Sequence, residues 1–206
     1  WVEDANPRGS RRGRLRLSNL RALLSGKRVA VIGGVIAVVL FLWTSVHIVP
    51  PGTRAIPVTL GRPGGSLGPG LRITLPFTVT RNVSVRTESY TMSAIKGEGA
   101  KSSDDSVTVL GRDGGSAKID ATVLFEVDAG RVEEVYRTVG SNYLEKIVRP
   151  SARSCIRSSF TNYDMVAAAT SSWNEVETKV SDCMTSKLEP RGLVLEDFQL
   201  REVKLG

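Results

Sequence analysis

The longest feature of the hydropathy pattern runs from Val29 to Val46, VAVIGGVIAVVLFLWTSV, without a single charge. His47, Ile48 and Val49 extend it to Pro50 and Pro51. At about 1.5 Å per residue, a helix of this length matches the hydrocarbon core of a bilayer. It is longer than the apolar core of a cleaved signal peptide, and it lacks the polar stripe of a soluble amphipathic helix. The pattern predicts a transmembrane helix over residues 29–49, with Trp43 and His47 at its far interface.

Past Pro51 the period falls to two. Residues 54–60 predict an edge strand, because Pro57 has no N–H to give a central ladder. Residues 61–70 form a glycine-proline loop. Leu71, Ile73 and Leu75 then alternate with Arg72 and Thr74, and residues 79–90 continue in the same style. Residues 106–110 and 117–127 flank Gly111-Arg112-Asp113-Gly114-Gly115, a hairpin signal because glycine tolerates positive φ. The polar stretch 96–105 reads as a surface loop.

After residue 128 the period becomes helical. Asn142 with Glu145 predicts a helix start, followed by an apolar stripe of Leu144, Ile147, Val148, Ala152, Cys155 and Ile156, with a kink or join at Pro150. Ser172 with Glu175 opens a second helix, buried along Trp173, Val176, Val180, Cys183 or Met184, and Leu188. Pro190-Arg191-Gly192 stops it, and a last strand covers residues 193–205. Strands first and helices later predict an α+β fold. The division expected is a tail (1–28), a membrane helix (29–49), a β-rich subdomain (50–127) and an α/β subdomain (128–206).

Charge sharpens this picture. Residues 1–28 carry eight basic side chains against two acidic ones, a net +6, whereas the rest of the chain is nearly neutral at +1. By the positive-inside bias this basic tail lies in the cytoplasm and residues 50–206 lie on the other side. With no interleaved aromatic residues, the tail suits anionic headgroups better than nucleic acid.

Candidate chemistry is sparse. The only histidine, His47, stands at the expected membrane boundary, so no Ser-His or Cys-His pair and no histidine metal site is expected within the chain. The run 61–68 is glycine-rich but lacks the Gly-Lys-Ser/Thr ending of a phosphate loop, and turn chemistry accounts for it. Asp104-Asp105 and Glu133-Glu134 are neighbours in sequence, a placement that usually faces solvent. Asn82-Val83-Ser84 matches a glycosylation sequon, incidental in a strand of this kind. No cofactor is expected.

The ordered motifs resemble a known family. Val49-Pro50-Pro51-Gly52-Thr53-Arg54-Ala55, Leu60-Gly61 and Gly68-Pro69-Gly70-Leu71-Arg72-Ile73-Thr74-Leu75-Pro76-Phe77 are similar to the opening of the stomatin, prohibitin, flotillin and HflK/HflC domain, the SPFH or band 7 domain. Val83-Ser84-Val85-Arg86-Thr87, the stretch 113–125, Pro150 to Arg157 and Gly192 to Val203 resemble its later motifs. The resemblance covers about residues 46–205. Members of that family continue into a charged coiled coil. A chain running from Trp1 to Gly206 is therefore expected to be a portion of something longer.

The resemblance implies a non-enzymatic membrane scaffold whose copies, or copies of a related subunit, form a ring or cage around a membrane patch. A membrane AAA protease is an implied regulated partner, and a single-pass extracytoplasmic receptor is the alternative. It also implies that the first subdomain rests on lipid. Leu71, Ile73, Leu75 and Phe77 are then its contact residues, or 71, 73 and 75 simply fill the sheet core. Arg149, Arg153 and Arg157, four residues apart, either form a solvated face or meet acids such as Glu133, Glu134 or Glu175 of a neighbouring subunit. Cys155 and Cys183, the only cysteines, lie on the stripes of two helices expected to pack together; they form either a disulfide or two buried thiols.

Overall fold

The computed structural model describes residues 26–206, with side chains from Val29 onward; the expected basic tail, 1–28, lies outside the described side chains. The chain divides into two compact units, Trp1–Thr44 and Ser45–Gly206.

Helix α1 (Gly26–Ser45) is 20 residues long. Its side chains from Val29 to Thr44 are all exposed. Among the described residues no helix is long and apolar enough to cross a membrane; the described side chains of α1 begin only at Val29. The expected bounds of 29–49 are corrected at the C-terminal end, where Val46–Val49 form strand β1. Three of these four residues are β-branched, which favours a pleat over a helix, and β4 (Gly70–Ile73) supplies the partner strand.

In the second unit, β2 (Thr53–Thr59) lies between β3 (Arg62–Pro63) and β5 (Thr78–Ser84). The expectation of an edge strand is therefore corrected. Short β3 engages only Val58 and Thr59, so that edge asks no N–H of Pro57, whose carbonyl accepts from Gly64 N at 2.8 Å.

A third sheet, after the β1–β4 ribbon and the β3–β2–β5 sheet, is built on β8 (Ser116–Val127). Along one edge it pairs with β6 (Glu88–Met92) and β7 (Val107–Leu110), and along the other with β9 (Leu193–Leu205), all antiparallel. Ala117, Ile119, Ala121, Val123, Phe125 and Val127 alternate into the core. The register of β9 slips twice, leaving Arg201 and Glu196 as extra residues; these are β-bulges. Strands from both sides of residue 127 thus share one sheet, and its core also holds Ile56 and Val83 from the β3–β2–β5 sheet.

The helical elements are α2 (Val132–Thr138), a π-helical turn (Leu144–Val148), α3 (Arg149–Phe160), α4 (Met165–Ala169) and α5 (Trp173–Leu188). The join expected at Pro150 is the junction of the π-turn and α3. A wider turn spares the proline ring a clash with the carbonyl four residues back. Neither Asn142 nor Ser172 makes a side-chain cap: the π-turn begins at Leu144 after Tyr143, and Ser172 precedes α5 without a capping bond. Val176, Val180, Met184 and Leu188 of α5 are buried, while Trp173 and Cys183 are half-buried. Gly192 turns the chain into β9 at φ 78°, and a Cβ there would meet Val135 at 2.7 Å, so only glycine fits.

Helix α3 packs on α5 and on β7. Cys155 of α3 and Cys183 of α5 are joined as a disulfide, with Cα atoms 5.7 Å apart, closing a separation of 28 residues. Replacing both cysteines with alanine is expected to lower unfolding free energy by roughly 3–4 kcal/mol, the loop-closure magnitude for this span. Chemical denaturation of oxidised, reduced and doubly substituted protein checks this, with the last two expected to coincide.

Candidate functional site

Two arrangements stand out, and the first is a set of exposed apolar side chains on the two-stranded β1–β4 ribbon and at the Thr59–Thr78 end of the β3–β2–β5 sheet. In the β1–β4 ribbon Val46 pairs with Ile73 and Ile48 with Leu71. Directly opposed residues share a face, so these four form one apolar face, and all four are exposed. Four residues after Ile73 stands Phe77, and Thr78 pairs with Thr59. The two threonine hydroxyls are 2.8 Å apart.

Just beyond that pair lie Leu60 and Phe77, with φ of 50° and 63°. They are the only non-glycine residues with positive φ among those described. They are also 88% and 84% exposed. A left-handed backbone at a bulky residue costs of order 1–3 kcal/mol, here with no packing in return. Leu71, Ile73 and Leu75 are 66%, 78% and 69% exposed. The reading in which these three fill the sheet core is therefore corrected: none of them is in the buried core, to which the neighbouring β3–β2–β5 sheet contributes Ile56 and Val83.

The second arrangement is a buried ion cluster. Asp105 is 1% exposed and its carboxylate accepts from Arg149 at 2.5 Å and Arg153 at 2.7 Å. The Tyr90 hydroxyl donates to the other oxygen and itself accepts from Arg149 Nε at 2.9 Å. The expectation that Asp104-Asp105 faces solvent is thus corrected for Asp105, while Asp104 stays outside with Lys118. Burial works against the Asp105 charge, but hydrogen bonds from Arg149, Tyr90 and Arg153 outweigh it and hold its pKa below the ordinary aspartate value. The same bond to Asp105 raises the Arg149 guanidinium. Burial, reinforced by Asp105, raises the Tyr90 phenol.

The remaining sequence-expected interface residues fall in different places. Arg149 and Arg153 are matched within the chain, whereas Arg157 is exposed and makes no ion pair among the described residues. Glu134 pairs with Arg131, Glu133 with Arg137 and Glu175 with Lys179. Among the described residues no group of acidic, histidine or cysteine side chains is placed to hold a metal ion.

The sequence model of the SPFH domain / Band 7 family matches residues 47–206. The chain belongs to the SPFH domain / Band 7 family. No curated protein matches it at a significant level.

The Band 7 match begins at His47, one residue into β1, so the family domain and the unit Ser45–Gly206 nearly coincide. Within that domain sequence reasoning placed Leu71, Ile73, Leu75 and Phe77 but missed Leu60, Val46 and Ile48. The available signal was a leucine just before Gly61 in a turn, where an apolar side chain has nothing to pack against. It also missed Asp105, although Arg149 and Arg153 share a helical face that borders buried positions and so need a counter-charge.

In this Band 7 domain, Asp105→Ala strands two guanidiniums and a phenol. Breaking a buried pair from one side costs about 3–5 kcal/mol, and the arginines' one-quarter exposure places the expected loss near the lower figure. Because the folded carboxylate titrates below the unfolded one, its contribution is full above about pH 4 and fades as the pH falls further. Thermal melts between acid and neutral pH are expected to show this acid limb in the native protein. In Asp105→Asn the limb is expected to be weakened, from a lower starting stability.

Proposed function

We propose that this protein is a membrane-anchored scaffold: α1 crosses the bilayer, the Band 7 domain rests on the surface at which α1 emerges, and many copies close into a ring or cage around a membrane patch. The observation that carries this reading is the exposed apolar end at Leu60, Leu71, Ile73, Leu75 and Phe77, at the end of the domain that directly follows α1 in the chain. Two bulky apolar groups held at positive φ in water are costly, whereas burial returns about 1.5–3 kcal/mol for each side chain.

The uncharged sequence from Val29 to Val46 supports a crossing helix. The basic tail supports a cytoplasmic N-terminus. A disulfide between Cys155 and Cys183 supports an oxidising compartment for the domain. Ring formation rests on membership of the family and on the unmatched Arg157, which stands on a groove along α3 with Ser154, Ser158 and Thr161.

Reporter fusions to Gly206 are expected to be active only outside the cytoplasm; activity confined to the cytoplasm would overturn the topology. Assembly is tested by electron microscopy of the protein extracted in mild detergent. Large closed particles are expected, and discrete single chains would favour a receptor over a scaffold.

A further inference from the structure

The Band 7 domain distributes its charge unevenly. Residues 46–87 contain five arginines, Arg54, Arg62, Arg72, Arg81 and Arg86, and no Asp, Glu or Lys. Every ion pair among the described residues lies beyond this stretch, between residues 98 and 204. The contacts that Arg72 and Arg86 do make are to neutral carbonyls, Gly68 O at 3.1 Å and Pro51 O at 2.7 Å. Carboxylates bordering the stretch are engaged elsewhere: Glu88 accepts from the Tyr143 hydroxyl and Glu133 pairs with Arg137.

Four of the five arginines are exposed, and three of them, Arg62, Arg72 and Arg81, stand beside exposed apolar residues or on the strand that follows them. Arg62 is paired with Thr59, next to Leu60. Arg72 sits between exposed Leu71 and Ile73. Arg81 is three residues up β5 from Thr78, about 10 Å along the strand. Arg62 therefore lies within roughly a Debye length of Leu60, and Arg81 at about that distance from Thr78, the residue after Phe77. An apolar end rimmed by uncompensated guanidiniums fits one surface chemistry: acyl chains topped by negatively charged phosphates, which guanidinium binds in bidentate fashion.

We propose that this end of the domain selects anionic phospholipid, with Arg62, Arg72 and Arg81 reading the headgroup charge while Leu60, Leu71, Ile73, Leu75 and Phe77 enter the acyl boundary. The inference rests on the membrane-contact reading above. Neutral lipid satisfies the apolar groups alone and leaves the three arginines without counter-charge.

The test is hydrogen exchange of the full chain reconstituted in nanodiscs of phosphatidylcholine alone, or with about one third phosphatidylglycerol, read at the amides of residues 60–62 and 71–77 against the detergent-solubilised protein. Exchange is expected to be roughly tenfold slower in the anionic discs than in the neutral ones. Raising salt to about 0.5 M, or substituting Arg62→Gln, Arg72→Gln and Arg81→Gln together, is expected to erase that difference. All three side chains are exposed, so the variant keeps its core. Equal protection in both discs, slower than in detergent, overturns headgroup selection and leaves membrane contact standing. Exchange as fast in both discs as in detergent overturns both readings.

Discussion

The fold of the second unit turns on the Asp105 carboxylate. A buried charge of this kind survives only if its desolvation is repaid by close, well-directed donors, and here they come from two separate parts of the chain. Tyr90 reaches it from β6, and Arg149 and Arg153 from successive turns of α3. Asp105 itself ends the long loop leading to β7, tied back through its N–H to the Ser93 carbonyl. One carboxylate thus sets the position of the helix over the sheet. Through Cys155 that helix carries the constraint to α5, and α5 packs on β9. Shape-matched apolar packing tolerates small slides between layers; a carboxylate held by three converging donors does not, so the layers are held in a single register.

The elements that sequence made legible are those with long, unbroken period. The alternation of β8, the stripes of α3 and α5, and the Asp-Gly turn before β8 all recur in the structure with bounds close to those expected. Failures came where a partner distant in sequence decides the outcome. Val46 to Val49 continue an apolar run and look like the end of a helix, yet Gly70–Ile73 offers them a ladder. Pro57 reads as an edge residue, yet a two-residue strand leaves its missing N–H unasked. Asp105 reads as half of a solvated acidic pair, because nothing in its own neighbourhood reveals two arginines some forty residues later. At the apolar end, Leu71, Ile73, Leu75 and Phe77 were visible as alternation, but alternation alone does not say which side of a sheet is wet.

These two arrangements illustrate opposite uses of free energy within one domain. At Asp105 the carboxylate has close donors on both oxygens, with Arg153 Nε left without a partner among the described residues, and the result is rigidity. At Leu60 and Phe77 the backbone is held in a conformation that favours glycine while the side chains stay in water. Such a site is stable only because the Thr59–Thr78 pair and the strands behind it fix the turn. The unfavourable local state is offset by the rest of the fold.

Strand β9 carries a consequence of another kind. It is 13 residues long and pairs on one side only, with β8, which makes it the sort of border onto which a foreign strand adds in fibrils. Its bulges at Glu196 and Arg201 break the even spacing of donors and acceptors that such an addition needs. The Leu200 N–H is already taken by Glu177 of α5. A second copy brought against β9 would therefore meet it through side chains, whose complementarity specifies a neighbour and an angle. Open-ended sheet growth, which would run on without closing, finds no even template along β9.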